Sequence, residues 1–554
     1  MPSTARLRLG ALSVLCALPY VAMLIFCARH HSHPRSVLAL LASAALVSLL
    51  LAGLTRTWRL FFLAYLPLLV IASTYCAYAL AFGIVPGHTL GILLLSATAE
   101  EIRGLVTVWP QKWLLLPGLA LLCAYVWLAW GLPAWPIFAG RVQLGARVVL
   151  VLAFLATAAA ASNAAQLIDG LAFNPVVGSF MFGVGQLPRA RAEMRGANII
   201  KVPFHASRAG SAEEVHVLIV GESERRGSWS LYGYSRETTP YLERIRGETI
   251  VLGHVVADAN LTNLAVPMIL TGVPPEDLAT TRQRGNLLDV AKEAGYSTTW
   301  LVNQDINVSN SIGITPDYLD YPPEIHEGLF GRHLLDEALL PAFRRALARS
   351  GSPRFIGMHI MESHWEYYLR YPAAFRRYGH DEQLSSVALM WGAKKSVGQA
   401  IVDSYDNSVL HSDWFLEQVI EAVRALKVPA TVTLIPDHGE SLEGLGDGDG
   451  GHGGPVYNDA QFQIPAFVWV NDAYRAAHPE RVVALASHAG DEIHSHDFFC
   501  AVADLMGISW PGFRPENSFA SPQFIPDTRR QVLVGGVLQV RPQTSASATQ
   551  AHHY

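Results

Sequence analysis

Cysteine is scarce in this chain of 554 residues, with Cys16, Cys27, Cys76, Cys123 and Cys500 its only five. The first four fall inside apolar segments, so the polar part, which holds Cys500 alone, cannot form an internal disulfide. Cysteine usage therefore neither supports nor excludes an oxidising compartment. Charge is thin as well, at 16% of residues, and the shortage is concentrated before about residue 165. A net charge of −5, small for this length, argues against nucleic acid as a partner, since such a binder would show a basic face.

What the chain has in excess is apolar side chain, 51% of residues with a positive mean hydropathy. At a length that implies two or more domains, this places one of them in a membrane. Residues 9–28, 36–54, 59–85, 113–132 and 146–165 are each long, apolar and nearly uncharged. About 20 helical residues cross a hydrocarbon core of roughly 30 Å. Five transmembrane helices are thus expected, in a membrane domain of residues 1–165. Arg6 and Arg8 resemble the basic end of a cleaved signal peptide, but the apolar run after them is too long and four more follow. With a cytoplasmic N-terminus, Arg6, Arg8, Arg56, Arg59, Arg141 and Arg147 lie inside, and Arg29, Arg35, Arg103 and Lys112 outside. That bias follows the positive-inside rule, and an odd number of spans puts everything after residue 165 outside the cytoplasm.

The outer loop between the third and fourth spans contains LSATAEEIRG, with Ser96, Thr98, Glu100 and Glu101 near the membrane surface. It reads either as a capped interfacial helix end or as a place to hold a lipid headgroup. Residues 166–211 have a mixed composition and read as a bridging amphipathic helix and linker. From residue 212 to 541, β-branched runs alternate with helical patterns. Strands are expected at VHVLIVG (from Val215), YSTTWLVNQ (Tyr296 to Gln304), FIGMHIMESH (Phe355 to His364), ATVTLIP (from Ala430) and FQIPAFVWV (Phe462 to Val470). Helices are expected from Pro240, over Asn286 to Ala294, over Val397 to Leu426 and over His494 to Gly507. The fold class is α/β with a mainly parallel central sheet. The polar tail, residues 542–554, is expected to be disordered.

Two of these strands end in chemistry. VHVLIVGES delivers Glu222, and ATVTLIPDHGES delivers Asp437 and His438, at the carboxyl ends of strands where α/β sheets collect ligands. Two carboxylates and an imidazole suit Zn²⁺ or Mn²⁺, and a catalytic centre needs one more ligand and an open position. The missing element is a nucleophile, and the best placed stretch for it is DANLTNLAVPMILTG, Asp258 to Gly272. Asp447 and Asp449 in GDGDGGHGG lack the terminal bidentate Glu of a calcium loop, and read as a flexible loop presenting His452. Tyr405, Asp406 and Asn407 read as helix-borne supports, and Arg225 either as a support of the site or as a solvated side chain.

The order VLIVGESERR, SLYGYSRETTPYLE, LTNLAVPMILTG, WLVNQD, MESHWEYYLRYP, SYDNSVLHSD, IPDHGESL and HGGPV, behind five spans, resembles the phosphoethanolamine transferases. These are inner-membrane enzymes of the sulfatase and alkaline phosphatase superfamily. The resemblance implies a sulfatase-like periplasmic domain on a multi-pass membrane anchor. It implies Glu222, Asp437 and His438 as zinc ligands, Thr262 as nucleophile and metal contact, and His364 and His452 as holders of the phosphoryl group or a second metal. It also implies Glu100 in holding the lipid donor, with Ser96 where that loop usually has Thr. The donor implied is phosphatidylethanolamine, and the acceptor a lipopolysaccharide (lipid A or a core sugar) or a periplasmic glycan, reached through a covalent phospho-threonine. His364 or His452 would protonate a leaving oxygen, deprotonate the acceptor or hydrogen-bond the phosphate. His364 is followed by Trp365 and Glu366 where the family has Gly-Pro, and the disulfides of the lipid A branch are absent. Competing expectations are a phosphoglycerol transferase of the lipoteichoic acid synthase type and a non-catalytic membrane sensor. A sulfatase would need a C-x-P-x-R stretch or its Ser equivalent, and none occurs.

Overall fold

The computed structural model describes residues 3–29, 34–82, 115–137, 174–194, 199–208, 212–304, 306–320, 334–349, 353–379, 394–442, 445–447 and 451–542. The chain divides into two compact units, one ending at Arg191 and one running on from Ala192.

The first unit is helical, with α1 (Ser3–Arg29), α2 (Pro34–Leu54), α3 (Trp58–Phe82), α4 (Leu115–Trp130), α5 (Pro175–Met181) and α6 (Leu187–Met194). α1 is apolar on every side: Leu12, Met23 and Phe26 are buried, while Val14, Leu18, Val21 and Ile25 face outward. A helix apolar all round belongs in a large core or a membrane. Ser3–Arg29 and Trp58–Leu80 are each long and apolar enough to cross one. The first four expected spans fall on α1 to α4, of which α1 and α3 have the length and apolarity of a span; residues 83–85 of the third, 113–114 of the fourth and the whole fifth, 146–165, lie outside the described residues. Tyrosines tie the helices together, with Tyr65 Oη donating to Tyr20 Oη (3.0 Å) and Tyr125 Oη to the Phe62 carbonyl (2.8 Å). Within the expected bridging segment Asn174 caps α5, its side chain accepting from the amides of Val176 and Val177.

The second unit is built on an eight-stranded sheet in the order β5-β4-β6-β2-β7-β8-β3-β9. Its strands are β2 (Val215–Gly221), β3 (Thr249–Val256), β4 (Ser297–Val302), β5 (Tyr318–Asp320), β6 (Arg354–His359), β7 (Ala430–Pro436), β8 (Gln463–Val470) and β9 (Glu492–His494). Neighbours run parallel except β8, which is antiparallel to both β7 and β3. Two small pairs lie outside it: β1 (Ser207–Arg208) with β10 (Ile508–Ser509), and β11 (Gln531–Val534) with β12 (Val537–Val540).

β2 lies inside the sheet and every residue of it is buried. Its side chains alternate between two cores: Leu218 and Val220 pack on one face, and Val215, Val217 and Ile219 on the other. The first face is covered by α7 (Thr262–Thr271), α8 (Leu287–Glu293) and α11 (Asp497–Leu505). The second is covered by α9 (Lys394–Arg424), whose Ile401, Tyr405, Val409, Leu416, Ile420 and Val423 follow helical spacing. His216 survives inside β2 because both ring nitrogens are bonded, to Thr431 Oγ1 (3.0 Å) and Glu214 (3.2 Å).

Two expectations change. β3 is not among the strands read from the sequence; Gly253 and His254 break its apolar run, and its register shifts between Leu252 and Val255. The helix expected over His494 to Gly507 starts at Asp497, because His494 is the last residue of β9, paired with Val256.

Candidate active site

β2 and β7 run in register with Gly221 opposite Pro436, so the residues that follow them emerge side by side. The Asp437 amide donates to the Gly221 carbonyl, and the Ser223 amide to Asp437 Oδ1, both at 3.1 Å. This brings Glu222, Asp437 and His438 together, all three fully buried. A Cβ on Gly221 would lie 2.2 Å from Glu362 Oε2 and displace the carboxylate that accepts from the Glu222 amide at 3.1 Å.

Thr262 opens α7, and its Oγ1 lies 3.2 Å from both Glu222 Oε2 and His438 Nε2. His438 Nε2 is 3.3 Å from Asp437 Oδ2 and 3.7 Å from Glu222 Oε1. Donors at about 2.0–2.2 Å from a tetrahedral ion stand about 3.4 Å from one another, so donor atoms of these four residues are spaced to hold one. His438 Nδ1 faces the Gly439 carbonyl at 3.0 Å and therefore carries its proton, which leaves the Nε2 lone pair for the centre. Asp437 Oδ2 is buried without a hydrogen-bond partner. Electrostatics agree: burial, and then the charge of Asp437, push the Glu222 carboxyl well above its usual range. Burial also raises Asp437, and burial together with His452 pushes His438 down to about 3. A bound divalent cation would make two buried carboxylates and a neutral imidazole compatible.

His364 and His452 stand over this group. Their rings are 6.0 Å apart, the His452 ring is 4.2 Å from that of His438, and donor atoms of Glu222, His364 and His452 lie within 4.8 Å of one another. His364 Nδ1 faces the Trp365 carbonyl at 2.5 Å, and His452 Nδ1 faces Glu440 Oε2 at 2.7 Å, so both present Nε2 elsewhere. Burial, then Arg370, hold His364 well below its ordinary value, so it is neutral.

The structure thus brings six of the candidate residues together; the other two, Ser96 and Glu100, lie outside the described residues. Tyr405 supports the site, its hydroxyl donating to the Ser223 carbonyl (2.7 Å) and accepting from the Arg225 amide (2.8 Å). Arg225 is buried and pairs with Asp447. Asp449 is outside the described residues.

Three residues escaped the sequence reading. Glu440 is fully buried, takes His452 Nδ1–H and accepts the Tyr367 hydroxyl at 2.5 Å. Gln304 Nε2 donates to Glu222 Oε2 at 2.8 Å. Both were within reach, since Glu440 lies two residues past His438 and Gln304 ends the expected strand YSTTWLVNQ. Asp258 gave no local signal. It is fully buried at the start of the Thr262 loop and accepts from His494 Nδ1 (3.0 Å), Ser495 Oγ (2.7 Å), and the amide (2.7 Å) and Nδ1 (2.9 Å) of His496.

A parallel-rich sheet with carboxylates, imidazoles and a threonine hydroxyl gathered beyond its strand ends defines a class, and residues 215–508, more than half of the chain, match the family described as Sulfatase. The chain belongs to that family. Within it, the chain is 25% identical over 329 residues to "Phosphoethanolamine transferase CptA" of Salmonella typhimurium, a match over 58% of this chain and 56% of that protein. The chain therefore spans little more than half the length of that relative. Among solved structures it is similar, at 24% identity and a TM-score of 0.63, to the "Integral membrane protein lipooligosaccharide phosphoethanolamine transferase A (EptA) from Neisseria meningitidis", over 92% of this chain and 97% of that one. A second neighbour, at 22% identity and a TM-score of 0.50 over 60% of this chain and 93% of that one, is the "C-terminal periplasmic domain of EcEptC from Escherichia coli" in complex with Zn.

Proposed function

We propose that this protein is a membrane-anchored, zinc-dependent phosphoethanolamine transferase. It would move phosphoethanolamine from phosphatidylethanolamine to a lipopolysaccharide or periplasmic glycan acceptor. The observation that carries the reading is the Thr262 hydroxyl held 3.2 Å from both Glu222 and His438, with His364 and His452, whose Nδ1 atoms face the Trp365 carbonyl and Glu440, close by. The relatives' descriptions support the activity, and the Zn complex of a neighbour supports zinc.

Glu222, Asp437, His438 and Thr262 would hold the ion. Bound there, Zn²⁺ supplies Lewis acidity that lowers the pKa of the Thr262 hydroxyl and offsets charge on the phosphoryl oxygens. Thr262 Oγ1, deprotonated, forms the new bond to phosphorus as the ester oxygen of diacylglycerol leaves and takes up a proton. The phosphoethanolamine-threonine ester is then attacked by an acceptor hydroxyl, which gives up its proton and restores Thr262. His452 Nε2 would carry these protons, a role that Glu440 on Nδ1 supports by steadying the imidazolium form. His364, neutral at ordinary pH, holds a phosphoryl oxygen or a proton at Nε2. The division into a five-span membrane domain (1–165), a bridge (166–211), a periplasmic catalytic domain (212–541) and a tail (542–554) belongs to this reading. So do an inner-membrane location and a role for Ser96 and Glu100 at the donor headgroup.

The test is mass spectrometry of the purified chain after incubation with phosphatidylethanolamine. A phosphoethanolamine adduct on Thr262 that is absent in Thr262→Ala and after chelation is expected. An adduct seen only with phosphatidylglycerol, or none with the metal bound, refutes the reading.

A further inference from the structure

The nucleophile and His452 sit on different loops, and two buried amides join those loops. Asn260, two residues before Thr262, is fully buried, and Gln461 in α10 (Asp459–Phe462) is 6% exposed. Gln461 Nε2 donates to the Gly451 carbonyl (3.1 Å), one residue before His452, and to Ser441 Oγ (3.0 Å). Its Oε1 accepts from Asn260 Nδ2 at 2.7 Å. Asn260 Nδ2 donates as well to the Gly454 carbonyl (3.0 Å), two residues after His452, and Asn260 Oδ1 accepts from the Gly535 amide (2.9 Å).

The orientation of both amides follows from these partners. The carbonyls of Gly451 and Gly454 only accept, so each must face an NH₂ group, and the remaining oxygens then face Asn260 Nδ2 and the Gly535 amide. Gln461 reaches the metal-ligand loop too, its carbonyl accepting from the Gly439 amide at 2.8 Å. α10 is pressed so closely there that a Cβ on Gly439 would lie 2.2 Å from the Ala460 carbonyl oxygen. Neither side chain of the pair hydrogen-bonds Thr262, His438 or His452, yet the pair is bonded to the loops that carry all three.

We propose that Asn260 and Gln461 are positioning residues that set the separation of the Thr262 hydroxyl from His452 Nε2. This deepens the transferase reading and rests on it. Displacing a reacting group by about 1 Å costs on the order of a hundredfold in rate, which is the scale at stake if the two loops move independently.

The experiment is a cycle of Asn260→Ala and His452→Ala in the full chain in detergent micelles. The readouts are diacylglycerol release from phosphatidylethanolamine, followed for hours to capture slow rates, and bound zinc per chain. Asn260→Ala is expected to slow release by about tenfold to a hundredfold with zinc content unchanged, and to slow it less than about threefold further when His452 is already alanine. An equal loss in both backgrounds, a loss of zinc, or no loss at all overturns the proposal. If Asn260→Ala does not fold, the reciprocal pair Asn260→Gln with Gln461→Asn decides. It keeps the amide chain at constant length and is expected to recover most of the rate that either single change loses; recovery of none overturns the proposal. A wild-type chain that releases no diacylglycerol would instead refute the transferase reading, so the two failures are distinct.

Discussion

Replacing Asp258 by Asn should change how the stability of the second unit depends on pH. Burial alone would drive the His496 imidazole down, but the charges of Asp258 and Asp497 overcome it and raise the imidazole from 6.5 to about 9. Burial would likewise push Asp258 up, and the facing imidazoles of His496 and His494 instead hold it well below the usual carboxylate range. The sign follows from His496 being raised. Below pH 6.5 the imidazole is protonated folded and unfolded, and the pair contributes fully. Between 6.5 and 9 the unfolded chain loses its proton first, so the contribution declines, and above 9 it is gone. A shift of about 2.5 units at 1.36 kcal/mol each is about 3 kcal/mol. For a unit beginning at Ala192, with about 2.1 cal/mol/K of unfolding entropy per residue, that is roughly 4 °C in Tm. The assay is thermal melting of the full chain in micelles from pH 5 to 9.5, followed by tryptophan fluorescence, for wild type and Asp258→Asn. The difference between the two isolates this pair from every other titrating group. Asp258→Asn should melt several degrees lower at pH 6, and the gap should narrow steadily towards pH 9.5, leaving the pH-independent cost of the hydrogen bonds that Asp258 accepts. A constant gap across that range would refute the ion-pair reading of the cluster.

Two further outcomes follow from the centre itself. Chelation should lower Tm, and by more as pH rises: Glu222 and Asp437 are raised, so without an ion their stability contribution is full below about pH 4 and is lost as they are forced to ionise, while the loaded form keeps them charged. A gap between loaded and chelated protein that narrows with rising pH would contradict this. Glu440→Gln should slow transfer by about a hundredfold to ten-thousandfold with a smaller change in KM, because an amide NH₂ facing His452 Nδ1 favours the tautomer with its proton on Nε2. Steady-state kinetics of the variant checks this, and a rise in KM alone would show that Glu440 serves binding.

The strand ends were legible because their signal is local. A β-branched run buried on both faces ends where polar residues begin, so VHVLIVGE and ATVTLIPDH could each be read as a strand delivering ligands without any knowledge of their neighbours. The helix over Val397 to Leu426 was legible for the same reason, as apolar spacing of 3 and 4 needs only its own residues. The motif around Thr262 was readable as a resemblance and offered no physical reason of its own, since a threonine in a loop carries no intrinsic mark of its partners.

What the tertiary structure decided is which ends meet. Sheet order places β2 beside β7, and this register sets Glu222 next to Asp437 across 215 positions of sequence; a slip of one residue would turn every side chain of β2 to the opposite core. The same holds for Asp258 with His496 and for Asn260 with Gln461, pairs separated by 238 and 201 positions. Each member alone is an ordinary polar residue of a turn or short helix. Burial without water gives such groups their force, and burial is a property of the packed chain, decided by how β3, β9 and the loop before α10 close over one another. The local apolar runs and the candidate ligands at the strand ends were therefore determined by sequence, and the pairings that hold Thr262 in place were decided only when the sheet assembled.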